Sequence, residues 1–93
     1  MTNAYFHIDR FLVRHPLYAK KLAEVILEFS GSARISAVLI ARQCYVPGSV
    51  AEDMMTSLKS AKVVRHLHEP LRDVLAVDRE TAEQLAEYAL RFK

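Results

Sequence analysis

Pro16, Gly31, Pro47, Gly48 and Pro70 are the only prolines and glycines in the chain. Proline fixes φ and removes a backbone donor, and glycine alone enters left-handed conformations cheaply, so these five positions set where regular elements start and stop. No linker, low-complexity run or internal repeat lies between them. The chain therefore has to fold as a short series of elements, and the apolar spacing between the breaks says which ones.

Proline suits a first helical turn, and from Pro16 onward Leu17, Leu22, Val25, Ile26 and Phe29 recur at helical spacing. Ser30 and Gly31 end that helix. Before it, residues 3–14 read as a short extra helix with Phe6, Phe11 and Leu12 as its buried face. Arg34 and Ile35 read as a very short strand. Ser36 is placed to cap a second helix over 37–43, with Val38, Leu39 and Ile40 as its buried residues. Tyr45-Val46-Pro47-Gly48 is a turn. Ser49 with Glu52 three residues later has the form of a capping box, and predicts a third helix over 50–60 with Ala51, Met54, Met55 and Leu58 inward.

The β-branched residues and alternation of residues 62–67 and 71–77, on either side of His68-Glu69-Pro70, predict a β-hairpin; a helix over 71–77 is the other reading. Asp78 can cap a last helix whose stripe is Ala82, Leu85, Ala86, Ala89 and Phe92. The order helix, short strand, helix, turn, helix, hairpin, helix is an α+β pattern. Two helices joined by a tight turn and followed by a hairpin predict a small winged helix-turn-helix with an added C-terminal helix. The whole of 1–93 reads as one such domain, with 1–15 an N-terminal extension and 78–93 the C-terminal helix.

Length and composition agree with one globular domain: 93 residues, 52% hydrophobic and 26% charged. Such a domain buries only about two-thirds of its unfolded surface, so a dimer partner would add stability. The single cysteine, Cys44, cannot form an internal disulfide. The N-terminal residues lack the basic start and apolar run of a secretory signal, and no apolar stretch is long enough to span a membrane. The expectation is a cytoplasmic protein.

The net charge of +2 is small, but its distribution is uneven. Residues 59–72 carry Lys59, Lys62, Arg65 and Arg72 against Glu69, with His66 and His68 among them. Residues 78–87 carry Asp78, Glu80, Glu83 and Glu87 against Arg79. A local basic stripe matters more for phosphate binding than the net charge; the plain alternative is a solvated charged surface.

Residues 22–64 resemble the gamma domain of the FtsK-type DNA translocases, on Ile35-Ser36, Leu39-Ile40-Ala41-Arg42, Val46-Pro47-Gly48-Ser49-Val50-Ala51, Met54-Met55, Leu58 and Val63-Val64. That family typically shows an Ile-Ser, a helix with Leu and Arg, an Ile-Gly-Tyr-Asn-Arg-Ala turn, and a helix ending before Gly-Val-Val. The resemblance implies a winged helix that recognises DNA. It departs where the base readers stand: Ser49-Val50 replaces Asn-Arg, and Asp53 replaces a later basic residue. Arginine and asparagine are usual base readers, whereas carboxylates are repelled by phosphates. No phosphate-cradling glycine-rich loop of a motor occurs.

The expected DNA-binding residues are Arg34, Arg42, Ser49, Lys59, Lys62, Arg65, His66, His68 and Arg72. The expected function is that of a non-catalytic binder of double-stranded DNA: a small transcription regulator or DNA-maintenance factor, of a kind plasmids and phages also encode. The alternative is a protein-interaction module using the acidic face around Glu52 and Asp53. A homodimer through the small-residue stripe of the C-terminal helix is the expected assembly, against packing of that stripe within its own domain. Neither a cofactor nor a metal is expected: His66 and His68 share a side of a strand but lack further ligands, Cys44 lacks an evident base, and Glu52 and Asp53 point about 100° apart.

Overall fold

The computed structural model describes residues 3–31, 33–68 and 71–91. Its elements are α1 (Asn3–Arg14), a 3-10 turn (Pro16–Tyr18), α2 (Ala19–Glu28), β1 (Ala33–Arg34), α3 (Ala37–Cys44), α4 (Gly48–Ser60), β2 (Val64–His68), β3 (Leu71–Leu75) and α5 (Arg79–Leu90). Among the described residues the fold is a small α+β arrangement of five α-helices and a three-stranded antiparallel sheet, ordered β1-β3-β2. Residues 71–75 form a strand rather than the alternative helix, and the hairpin pairs His66 with Asp73 and Leu67 with Arg72. Glu69, Pro70 and Phe92 lie outside the described residues.

One core joins all these layers. Ile8, Phe11 and Leu12 of α1, Leu22, Val25 and Ile26 of α2, Ile40 of α3, Met54 and Leu58 of α4, and Leu75 of β3 are buried together. α2 packs against α5, and α4 against both α1 and α3. The small stripe of α5, Ala82, Ala86 and Ala89 with Leu85, is buried within the chain and lets the two helices approach closely. A homodimer through α5 would therefore use other faces of that helix. Tyr88 on its edge donates a 2.7 Å hydrogen bond to Asp9, and its ring lies 4.4 Å from Tyr5, which ties α1 to α5.

Several local expectations are corrected. α1 buries Ile8 with Phe11 and Leu12, while Phe6 is 57% exposed, because Ile8 lies on their side of the helix and Phe6 on the opposite one. Pro16 opens a 3-10 turn rather than the α-helix itself, and Leu17 in that turn is 91% exposed. In α3 the inward face is Ile40 and Cys44, four residues apart; Val38 points out at 62% exposure. α4 begins at Gly48 with Pro47 as its N-cap, so Ser49 is already inside the first turn and makes no capping bond. The other caps form as expected. Ser36 accepts from the Leu39 N–H at 3.1 Å, and Asp78 accepts from the Thr81 N–H at 2.8 Å. Gly31 takes φ +81°, the left-handed turn expected there.

Candidate nucleic-acid interface

The hairpin distributes its charges over two faces, because neighbouring residues of a strand point to opposite sides and directly paired residues share a side. Val64 and Leu75 point into the core. His66, Asp73, His68 and Leu71 follow them on that side. The opposite face carries Arg34, Val74 and Arg65 in one row across the three strands, then Leu67 and Arg72. Val74 is only 4% exposed yet stands apart from the main core cluster. Arg34 and Arg65 are its direct cross-strand neighbours. This outer face thus places three exposed arginines beside Val74 and the half-buried Leu67. None of the three makes an ion pair among the described residues, and none of the described strand residues on their face is a carboxylate.

The core-side face differs. Asp73 accepts a 2.8 Å hydrogen bond from His66 Nδ1 and lies 3.3 Å from the Lys59 ammonium of α4. The His66 hydrogen bond, with Lys59 nearby, holds the Asp73 carboxyl below the usual carboxylate range against the opposing effect of burial. Lys59 and His66, both expected to meet DNA, are thus engaged within the protein. His68 is exposed beside His66, their rings 5.0 Å apart. Lys62 is exposed in the turn after α4, and Arg42 is exposed on α3 rather than on the sheet.

α4 presents an outward ridge of Ser49, Glu52 and Thr56, whose hydroxyl donates back to the Glu52 carbonyl at 3.1 Å. Asp53 sits to one side of this ridge and is turned toward α1. His15 Nε2 donates to it at 2.7 Å, and the Arg14 guanidinium lies 3.7 Å away. The adjacent carboxylates of the sequence therefore do not form one acidic patch: Asp53 is matched, and Glu52 alone faces outward without an ion pair among the described residues.

Sequence reasoning left out a second basic edge. His7, Arg10 and Arg14 line a groove between α1 and α4. Their spacing of three and four residues places them on one side of a helix, and that spacing was visible once residues 3–14 were read as helical.

Cys44 is buried, and burial, with Glu24 and Glu28 adding to it, pushes its thiol up, so it packs as a neutral apolar group. Among the described residues no three His, Cys, Asp or Glu side chains are grouped to hold a metal ion, and no helix is long and apolar enough to cross a membrane. Comparisons with family models, with curated proteins and with solved structures found no match to this chain.

Proposed function

We propose that the protein is a winged helix-turn-helix domain that binds double-stranded DNA without catalysis, as a small regulator or DNA-maintenance factor. The observation that carries this reading is the outer hairpin face, where Arg34, Arg65 and Arg72 share one side of the sheet and make no ion pair among the described residues. Arginine presents a planar fork that matches phosphate oxygens, and unpaired arginines on one face attract a polyanion without first breaking internal bonds. The helix–turn–helix of α3 and α4, the hairpin after it and the strand order β1-β3-β2 support the winged-helix part. Lys62 adds to it: it stands where the gamma-domain family typically has glycine, and its φ is +65°.

The same geometry favours backbone contact over base reading. The ridge of α4 offers one serine, one threonine and an uncompensated Glu52, while Lys59 is held by Asp73. The alternative of an acidic protein-docking face is weakened by the pairing of Asp53 with His15 and Arg14.

Each phosphate neutralised contributes a slope of about −0.9 to the logarithmic salt dependence of DNA affinity, so three arginines give a slope of about −2.7. Binding of the purified chain to a random-sequence duplex, titrated between low and moderate salt, tests this. Arg65→Ala and Arg72→Ala together should reduce the slope to about −0.9, and each alone should lower affinity about fivefold near ~0.15 M salt. No binding by the unaltered protein at low salt refutes DNA binding, and an unchanged slope in the double variant removes the hairpin from the interface.

A further inference from the structure

The groove between α1 and α4 has no place in the reading above. It encloses about 80 Å³ along the sides of two helices. One wall carries His7, Arg10 and Arg14, and the other carries Asp53, Ser57 and Ser60. On α4 these three residues lie on the α1 side of the outward ridge, whereas Lys59 lies on the hairpin side. None of the groove residues belongs to the hairpin.

The available groups are of one kind. Arg10 makes no ion pair among the described residues; its guanidinium lies 5.9 Å from the Phe6 ring centre, which orients it without neutralising it. Arg14 is only loosely held, at 3.7 Å from Asp53. Asp53, the one carboxylate in the groove, already receives the short hydrogen bond from His15. The side-chain hydroxyls of Ser57 and Ser60 make no hydrogen bond within the protein among the described residues. Two guanidinium forks opposite two uncommitted hydroxyls, with the local carboxylate satisfied, are donors in search of an acceptor. A cation meets two arginines there, and an apolar ligand would have to desolvate them. A tetrahedral oxyanion can accept from the arginines of one wall and the hydroxyls of the other, and two guanidinium charges outweigh the single Asp53 carboxylate held by His15.

We propose that the α1–α4 groove is a phosphate-binding site in which Arg10 and Arg14 supply charge and Ser57 and Ser60 supply hydroxyl donors. The phosphate belongs either to a DNA backbone approaching α4 from the side opposite the hairpin or to a small phosphorylated molecule. The site stands or falls separately from the DNA-binding reading.

The test is an NMR titration of the ¹⁵N-labelled full chain, following backbone amides and arginine Nε–Hε signals. One arm adds inorganic phosphate at ionic strength held constant with chloride; the other adds a short random-sequence duplex. The expected result is saturable shifts at Arg10, Arg14, Ser57 and Ser60 that disappear in Arg10→Gln and persist in Arg65→Ala. Saturation by inorganic phosphate assigns the groove to small phosphorylated ligands as well. Saturation by the duplex alone, with the salt slope lowered by about one unit in Arg10→Gln, assigns it to the DNA backbone. Saturation by phosphate in a protein that ignores the duplex supports the groove and refutes the DNA reading. No saturable shift at these residues in either arm, or shifts retained in a folded Arg10→Gln, overturns the proposal.

Discussion

Replacing Leu85 by alanine tests whether the stripe of α5 belongs to this chain's own core. Leu85 is 4% exposed and sits among Ala82, Ala86 and Ala89 on the face that meets α2. Its alanine neighbours are too small to fill the space that truncation leaves, so the cost lies in the usual range for a buried leucine, about 2–5 kcal/mol. A chain of 93 residues has a total stability of roughly 5–14 kcal/mol, at about 0.05–0.15 kcal/mol per residue. Leu85→Ala thus removes a large share of it, and a loss of about 3 kcal/mol lowers Tm by about 12–24 °C. Urea unfolding followed by far-UV circular dichroism, at two protein concentrations a hundredfold apart, measures the loss. The expected midpoint falls by the same amount at both concentrations, because the contact is intramolecular. A variant within about 1 kcal/mol of the parent would refute the packing of Leu85 in this core, and a parental midpoint that climbs with concentration while the variant's does not would show that a second chain covers the stripe.

Two further expectations concern the turn and strands next to α4. Asp73 has a folded-state pKa depressed chiefly by the His66 hydrogen bond, so its stabilisation is present above the ordinary aspartate value of about 3.9 and is lost as pH falls through the lower folded value. The stability gap between the parent and Asp73→Asn should then close as unfolding is measured at progressively lower pH, and a gap that is the same at pH 7 and pH 2 contradicts that role. Lys62 holds φ +65° in the exposed turn before β2. Lys62→Gly relieves roughly 1–2 kcal/mol of left-handed strain against roughly 0.5–1 kcal/mol of added chain entropy, a net gain of about 0.5 kcal/mol in urea unfolding; a net loss would mean that the lysine side chain contributes to stability there.

Much of what depends on neighbours along the chain could be read from the residues alone, although the expected cap at Ser49 and the α-helical start at Pro16 did not form. Ser36 and Asp78 cap helices because their side chains reach N–H groups only three residues away. Gly31 ends its helix because its backbone can take a positive φ. The order of helices and the hairpin followed from the period of the apolar residues, and the apolar stripes of α2, α4 and α5 followed with it. The basic character of 59–72 was visible too, but the window stopped one residue short of Asp73, the carboxylate that engages Lys59 and His66.

Tertiary structure decided the rest, because burial and pairing depend on what the fold brings alongside. Phe6, Leu17 and Val38 are as apolar as the residues that are buried, yet each lies on a side of its element that no other element covers. Asp53 changed from half of an acidic patch to a bonded group only because α1 delivers Arg14 and His15 from 38 or more residues away in the chain. Arg34, far from Arg65 and Arg72 in sequence, joins their face only through the pairing of β1 with β3. Local sequence determines conformation through short-range sterics and hydrogen bonds, whereas the partner of a charge is determined by the packing of elements distant in the chain, and the surface proposed to bind DNA is made of such charges.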